Sequence, residues 1–417
     1  MAVAELSTGP SGSPLRRTGS GDLRIVAART PDSEVVSAAL AVPVGSRNET
    51  AAWSGLAHLA EHVACGADSA AARRLAAVGG VCNAVTQPDL TLYHGTVLAE
   101  HGELLLDRLL EILDTDGADT DRIAAEVQIV TGEITAAMDG AVMGGFPWLW
   151  LPGVLYDDPV LAHNGYGDLR SLRRVTPTVL SEFFARHYRS DQAVFAVAAA
   201  DLVGPLTRLA ATDHTPADTG RVASTPVTTP APVRRLSAPE QPHQATALAW
   251  SMPYQPLSPG HFAATVLADV LVGPYDGLLD DAMADAFDVA AYVGPFADPW
   301  GVSAPLPFVV EVHHDAESDS SREVAEVCRV VREAVDGTGP DVVTPAARRL
   351  ATQWRERWAD PVEWPHLAAT AELVYGNADR AGGIPDGLAA VTTSAVRAVT
   401  TTLGEHPYRV LSRGPRR

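Results

Sequence analysis

The sequence predicts an α/β architecture made twice, as two similar halves joined by a linker. Short apolar runs rich in β-branched and small residues alternate with helix-period segments through residues 22–205. A stretch rich in Thr, Pro, Ala and Ser, without periodicity, interrupts the chain at 212–241, and the same style of strand and helix resumes after it. At 417 residues, 46% of them hydrophobic, the chain is longer than one ordinary domain. The expected division is a disordered tail over 1–21, a first domain over 22–211, the linker 212–241 and a second domain over 242–417.

Within the first half, Asp22 to Ala28 and Glu34 to Pro43 read as strands. Ser54 is the expected N-cap of an apolar-periodic helix from Gly55 to Ala64, and a second helix over Ala70 to Val78 ends at Gly79-Gly80. Val81 to Thr86 and Thr91 to Leu98 flank the turn residues Gln87-Pro88-Asp89, which predicts an antiparallel pair. Helices are expected over Leu104 to Leu113, Asp121 to Asp139 and Thr176 to Tyr188, with an apolar strand, Ala193 to Ala199, closing the half. In the second half, strands are expected at Thr246 to Ser251, Ala290 to Phe296 and Phe308 to Val312. Helices are expected at Gly260 to Leu271, Gly277 to Phe287, Ser320 to Glu333, Thr344 to Trp358 and Pro365 to Tyr375.

Charge and composition narrow the function. With 31 basic against 51 acidic residues the net charge is −20, and no local basic patch offsets it, which argues against nucleic-acid binding. No run reaches the ~18 apolar residues of a membrane span, and the N-terminal residues lack an apolar signal core, so the expected location is the cytoplasm, with no membrane partner. Cys65, Cys82 and Cys328 are too few and scattered for a disulfide framework or a four-thiolate metal site, and read as small buried hydrophobes.

Inside the first predicted helix stands His58-Leu-Ala-Glu61-His62, an H-x-x-E-H arrangement. On a helix, positions four apart are offset by only ~40°, so His58 and His62 present their rings to one point with Glu61 beside it. Neutral imidazoles hold Zn²⁺, and an adjacent carboxylate can serve as general base. A catalytic zinc needs a third protein ligand, and Glu126 and Glu133, two turns apart on one face of a later helix, both qualify; one can ligate while the other supports.

These residues resemble the pitrilysin family of zinc metallopeptidases. The family pattern is met by Gly55 to His62, by Gly79-Gly80-Val81-Cys82-Asn83-Ala84-Val85-Thr86, by Asp89-Leu90-Thr91-Leu92-Tyr93, and by Glu126 with Glu133. The likeness continues weakly through Gly165-Tyr-Gly-Asp168, Phe183-Phe184, His187-Tyr188 and Ala193 to Asp201. It implies an α+β fold of two homologous domains, each a mixed, mostly antiparallel sheet packed with helices, together forming one half of a clam-shell peptidase. It also implies one zinc per chain on His58, His62 and Glu133, with Glu61 as general base and Glu126 in support. An extended peptide substrate is expected to pair along Asn83, Ala84, Val85 and Thr86.

The pattern is departed from in the second half. Single-chain members carry an Arg seven residues before a substrate-contacting Tyr; Tyr292 stands in the expected place, but Asp285 replaces the Arg. This makes the chain resemble the zinc-bearing subunit of two-subunit members, bacterial ones and the mitochondrial processing peptidase among them. A heterodimer with a similar chain that supplies the Arg and Tyr is therefore expected, with a homodimer as the other arrangement. The resulting expectation is a zinc endopeptidase for small or unfolded peptides, with leader-peptide removal in a bacterial peptide natural product pathway as a specialised role. The competing reading is a non-catalytic structural or adaptor subunit of the same fold. Elsewhere, His313-His314 read as exposed polar residues, His94 as a residue whose facing the sequence leaves open, and Phe146-Pro-Trp-Leu-Trp150 as an aromatic patch for a core, a substrate or a partner chain.

Overall fold

The strand Val35–Val42 (Val-Val-Ser-Ala-Ala-Leu-Ala-Val) is buried along nearly its whole length instead of alternating, so both faces of its sheet are covered. The computed structural model describes residues 4–8, 14–20, 23–66, 69–139, 145–210, 235–237, 244–273, 277–303, 305–314, 320–337 and 339–414. The chain divides into two units: Met1–Gly132 with Gly165–Ala223 and Arg355–Gly383, and Glu133–Asn164 with Ser224–Trp354 and Ile384–Arg417.

The first unit holds β1 (Ala4–Thr8), β2 (Pro14–Ser20), β3 (Leu23–Arg29), β4 (Val35–Val42), β5 (Val81–Thr86), β6 (Thr91–Leu98) and β7 (Val194–Ala199) in the order β1-β2-β3-β7-β4-β6-β5. All pairs are antiparallel except β3 with β7. A Cβ added to Gly95 on β6 would meet a Leu105 methyl at 2.6 Å, whereas the adjacent His94 ring lies 3.9 Å from that of His366. Neighbours on a strand point to opposite faces, so helix Gly102–Leu113 covers one face and helix Trp364–Tyr375 the other. Small side chains at Ala38, Ala39 and Ala41 let helices approach β4 closely.

The second unit is a sheet in the order β10-β11-β9-β12-β8: β8 (Arg235–Ser237), β9 (Gln244–Met252), β10 (Asp288–Val293), β11 (Leu306–His314) and β12 (Tyr408–Arg413). Here β8 and β12 are parallel and the rest antiparallel. Along β9, Ala245, Ala247 and Ala249 line one face, and their small size seats a core of Phe146, Trp148, Leu151, Val154 and Leu155. Leu248 and Trp250 point the other way, Trp250 meeting Phe308 and Tyr408 edge-on or tilted. Helices Pro259–Val272, Ser320–Gly337 and Thr393–Glu405 pack with one another in this unit.

Several expectations are corrected. The tail expected to be disordered over 1–21 contains β1 and β2, because backbone pairing with β3 from Leu15 to Ser20 satisfies the peptide groups of a segment too polar to read as a strand. Within the expected linker, residues 235–237 form β8, while 211–234 and 238–243 lie outside the described residues. The halves are not contiguous: 133–164 belong to the second unit and 355–383 to the first, since each sheet needs cover on both faces. The helix expected over Gly277 to Phe287 is confined to Leu278–Ala282, and the following strand begins earlier, at Asp288. His313 and His314 are buried, His313 Nε2 lying 3.2 Å from Glu311 Oε2 and His314 Nε2 3.1 Å from Glu323 Oε1, because β11 is an interior strand whose paired carboxylates make that burial tolerable. Of the readings given for the aromatic patch, the core is the one observed, with Phe146 and Trp148 buried under β9 and Trp150 packed against them.

Candidate metal centre

The motif helix runs Leu56–Cys65 and buries Leu56, Ala57, Leu59, Ala60, Val63 and Ala64, which turns His58, Glu61 and His62 to the opposite, partly open side. Its N-terminus is not capped by Ser54. Gly55 is the N-cap, in the left-handed region at φ 94°, and the cap acceptor is the buried Glu49: Gly55 N donates to Oε2 at 2.9 Å and Ala57 N to Oε1 at 2.8 Å. A full carboxylate on two orphan N–H groups, at the positive end of the helix dipole, replaces what a hydroxyl cap would do. At the other end, Arg108 donates to the Ala64 carbonyl at 2.9 Å and Arg122 to that of Val63 at 2.6 Å. The helix is thus held by charged groups of complementary sign at both termini.

His58 Nδ1 lies 3.1 Å from the Tyr166 carbonyl. That oxygen can only accept, so Nδ1 carries the proton and Nε2 keeps the lone pair that a metal needs. Tyr166 is brought there by a close backbone crossing: Gly167, at φ 108°, packs so near Gly55 that a Cβ on it would fall 2.5 Å from the Gly55 Cα. His62 Nδ1 faces Glu126 Oε2 at 3.6 Å, the arrangement in which a carboxylate steers a ligating imidazole. The two imidazole rings stand 4.9 Å apart between centroids.

Helix Thr120–Asp139 carries both glutamates. Ligand atoms of His58, His62 and Glu133 all lie within 4.8 Å of one another. A tetrahedral zinc with ligands at about 2.0–2.2 Å would hold them roughly 3.5 Å apart, a change within reach of side-chain rotation. Two imidazoles and one carboxylate, each with a neighbour that orients it or room to turn, suit zinc in donor type and number.

Glu61 receives a hydrogen bond of 2.6 Å from Thr86 Oγ1 on β5. Thr86, expected to touch substrate, therefore holds the carboxylate expected to act as base. Along β5, Cys82, Ala84 and Thr86 are half-buried while Val81, Asn83 and Val85 are exposed. Among the described residues β5 ends the sheet and pairs with β6 alone, so its other edge can receive an extended chain. Beneath it, Tyr93 and Tyr188 share a 2.7 Å bond between hydroxyls, and burial pushes the pKa of both well above the usual tyrosine range, keeping them neutral. His94 shares the facing of Asn83, opposite to that of Thr86, and lies tilted against the ring of His366.

Tyr292 lies in the second unit. It pairs with Val309 in the second unit, gives its hydroxyl to Glu311 and lies tilted against Trp148, so its polar end is already used. Asp285 is exposed there. Sequence reasoning missed Glu49, Arg108, Arg122 and Tyr166. Glu49 and the arginines act on backbone atoms six or more residues away, and Tyr166 acts through its own carbonyl, so no spacing rule marks any of them.

Residues 24–141 match the model for insulinase (peptidase family M16). An uncharacterised zinc protease of Mycobacterium leprae is 31% identical over 200 residues, 47% of this chain and 44% of that protein. The mitochondrial-processing peptidase subunit beta of Saccharomyces cerevisiae is 26% identical over 186 residues, 43% of this chain and 39% of that one. The matched stretch thus spans less than half the length of these curated relatives. A protease from Helicobacter pylori has the same fold, with a TM-score of 0.81 at 15% identity over 96% of this chain and 99% of that one. Over residues 24–141 the chain is thus similar to peptidase family M16, the insulinase type.

Proposed function

We propose that this protein is a zinc-dependent endopeptidase that hydrolyses small or unfolded peptides. The observation that carries the reading is the convergence of His58, His62 and Glu133 beside a Glu61 anchored to an edge strand. His58, His62 and Glu133 would hold the ion, which when bound supplies Lewis-acid polarisation of the scissile carbonyl and acidifies water. The chain's own residues do the rest. The free edge of β5 pairs with the peptide backbone and sets its register, Glu61 accepts a proton from the attacking water and passes it to the leaving nitrogen, and Thr86 keeps that carboxylate aimed.

A second, similar chain completes the enzyme in this reading. Its support is the Asp285 in place of an arginine and the commitment of the Tyr292 hydroxyl to Glu311, which leave the second unit without a substrate-gripping pair. Removal of leader peptides from ribosomally made natural products, in the cytoplasm, is the specialised role proposed. The test is cleavage of an unstructured peptide by the chain alone and together with any similar chain that co-purifies with it from its host. Glu61→Gln should lower cleavage by about 10²–10⁴-fold with zinc retained, and Glu133→Gln should release zinc. Unchanged function in Glu61→Gln would support the structural-subunit reading instead.

A further inference from the structure

β11 ends in two adjacent buried histidines, each beside a carboxylate, and the two pairs differ in kind. On one face of the sheet, His313 Nε2 and Glu311 Oε2 stand 3.2 Å apart and are aligned as a hydrogen bond. On the other face, His314 Nε2 and Glu323 Oε1 are as close, at 3.1 Å, yet the ring nitrogen has no hydrogen-bond partner among the described residues. Its lone-pair direction therefore passes beside the carboxylate instead of meeting it. Two atoms this near and not aligned on each other can both face a third point. Ligands of one ion stand in this way, since bonds of about 2.1 Å at roughly 90–109° put ligand atoms ~3.0–3.4 Å apart.

The surroundings are polar and closed. Glu323 is 3% exposed; its Oε1 accepts from the Gln244 amide at 3.3 Å, while its Oε2 has no hydrogen-bond partner among the described residues. Gln244 is the ladder partner of His314, and Thr246, two positions along β9, shares their face. Thr246 is fully buried, and its hydroxyl oxygen likewise has no hydrogen-bond partner. Glu323 reaches this face from the first turn of helix Ser320–Gly337, which packs on β9. Buried polar atoms are almost always bonded, so three left over on one face, from three elements, point to a shared ligand. A carboxylate this deeply buried also calls for a positive charge beside it.

We propose that His314 and Glu323, supported by Thr246 and Gln244, hold a divalent transition-metal ion that ties β9, β11 and the helix Ser320–Gly337 together. One imidazole nitrogen with carboxylate, hydroxyl and amide oxygens is a donor set that Zn²⁺ and Mn²⁺ accept, and it contains no soft sulfur that would favour copper(I). A half-turn of the Gln244 amide presents its oxygen in place of its nitrogen. The four residues lie within the second unit and none belongs to the group His58, His62 and Glu133, so the site does not depend on the peptidase reading.

The experiment uses the full chain carrying H58A and H62A, which clears the first centre, stripped of metal and then loaded with Zn²⁺ or Mn²⁺ alone. After gel filtration, one equivalent of at least one of these ions should remain bound, and at a hundredfold excess over its dissociation constant the melting temperature should rise by about 5 °C. H314Q and E323Q, added singly, should each weaken binding at least tenfold, whereas H313Q, which removes the hydrogen-bonded neighbour, should not. T246V keeps the volume and deletes the unpartnered oxygen; it should weaken binding without destabilising the metal-free protein, and it carries the comparison if H314Q or E323Q fails to fold. Retention of neither ion overturns the site. So does an ion held as tightly after T246V and whichever of H314Q and E323Q folds, or one lost equally with H313Q.

Discussion

Glu49 is the residue on which the orientation of the motif helix most directly depends, since its buried carboxylate serves two backbone donors at once. Glu49→Ala strands both, and about 2–4 kcal/mol of stability should be lost, read as a lower urea midpoint at unchanged slope. Histidines away from the metal centre, His261 and His366 among them, set the response to acid. His261 is held down to about 4 by burial, against a bond to the Pro299 carbonyl, and His366 to about 4 by burial and then by the charges of His94 and Arg357. The unfolded chain takes up these protons near pH 6.5, the folded one only near 4. Between those values unfolding binds protons, so stability falls as pH falls, by up to ~1.4 kcal/mol per pH unit for each histidine, less for the partly exposed His366, and levels off below 4. Melting temperatures from pH 7 to 4 should show this slope, and His366→Gln should flatten it. At this scale His58, Glu61 and His62 were legible because helical spacing alone converges them; Glu49 and Tyr166 were not, because their roles pass through backbone atoms that any residue possesses.

At the level of elements, the motif helix and the segment Tyr166 to Asp168 act as one clamp. Asp168 N donates to the Ser54 carbonyl at 3.2 Å, and the Gly55 and Gly167 backbones touch, which puts the Tyr166 carbonyl on His58. A side chain on Gly167 would have both a left-handed backbone and a 2.5 Å clash with the Gly55 Cα to relieve, so the two segments must part. Gly167→Ala should therefore weaken zinc binding by about 10–100-fold, through the lost orientation of His58, with no ligand altered. Titration with a competing chelator checks this, and unaltered affinity would show that His58 needs no such support. The strands and helices themselves were readable where periodicity was strong: β5, β6 and the helices around Cys65 and Leu113 fall within a few residues of expectation. β1 and β2 were not, since the polar, Gly-containing stretch from Pro14 to Ser20 has strand form through its partners β1 and β3.

Across the whole molecule, the exchange of segments is what no reading of consecutive residues could supply. A break at 212–241 suggests two self-sufficient halves, yet β3, β4 and β7 of the first unit need helix Trp364–Tyr375 on one face, and β9 of the second seats its small residues on the stretch from Phe146 to Leu161. The apolar faces of β4 and β7, all but fully buried in the intact chain, would be open to water in a fragment ending before residue 224. At about 25 cal/mol per Å² of apolar area, uncovering several such side chains costs more than the 5–15 kcal/mol by which a domain is stable. Residues 1–223 produced alone should therefore be unfolded or aggregated and bind no zinc, although every proposed ligand is present in them. Adding residues 224–417 from a second polypeptide should restore both the fold and the metal, as followed by far-ultraviolet circular dichroism and zinc content. A stable, zinc-binding 1–223 fragment would mean that the helix at 364–375 is a cover the sheet can do without.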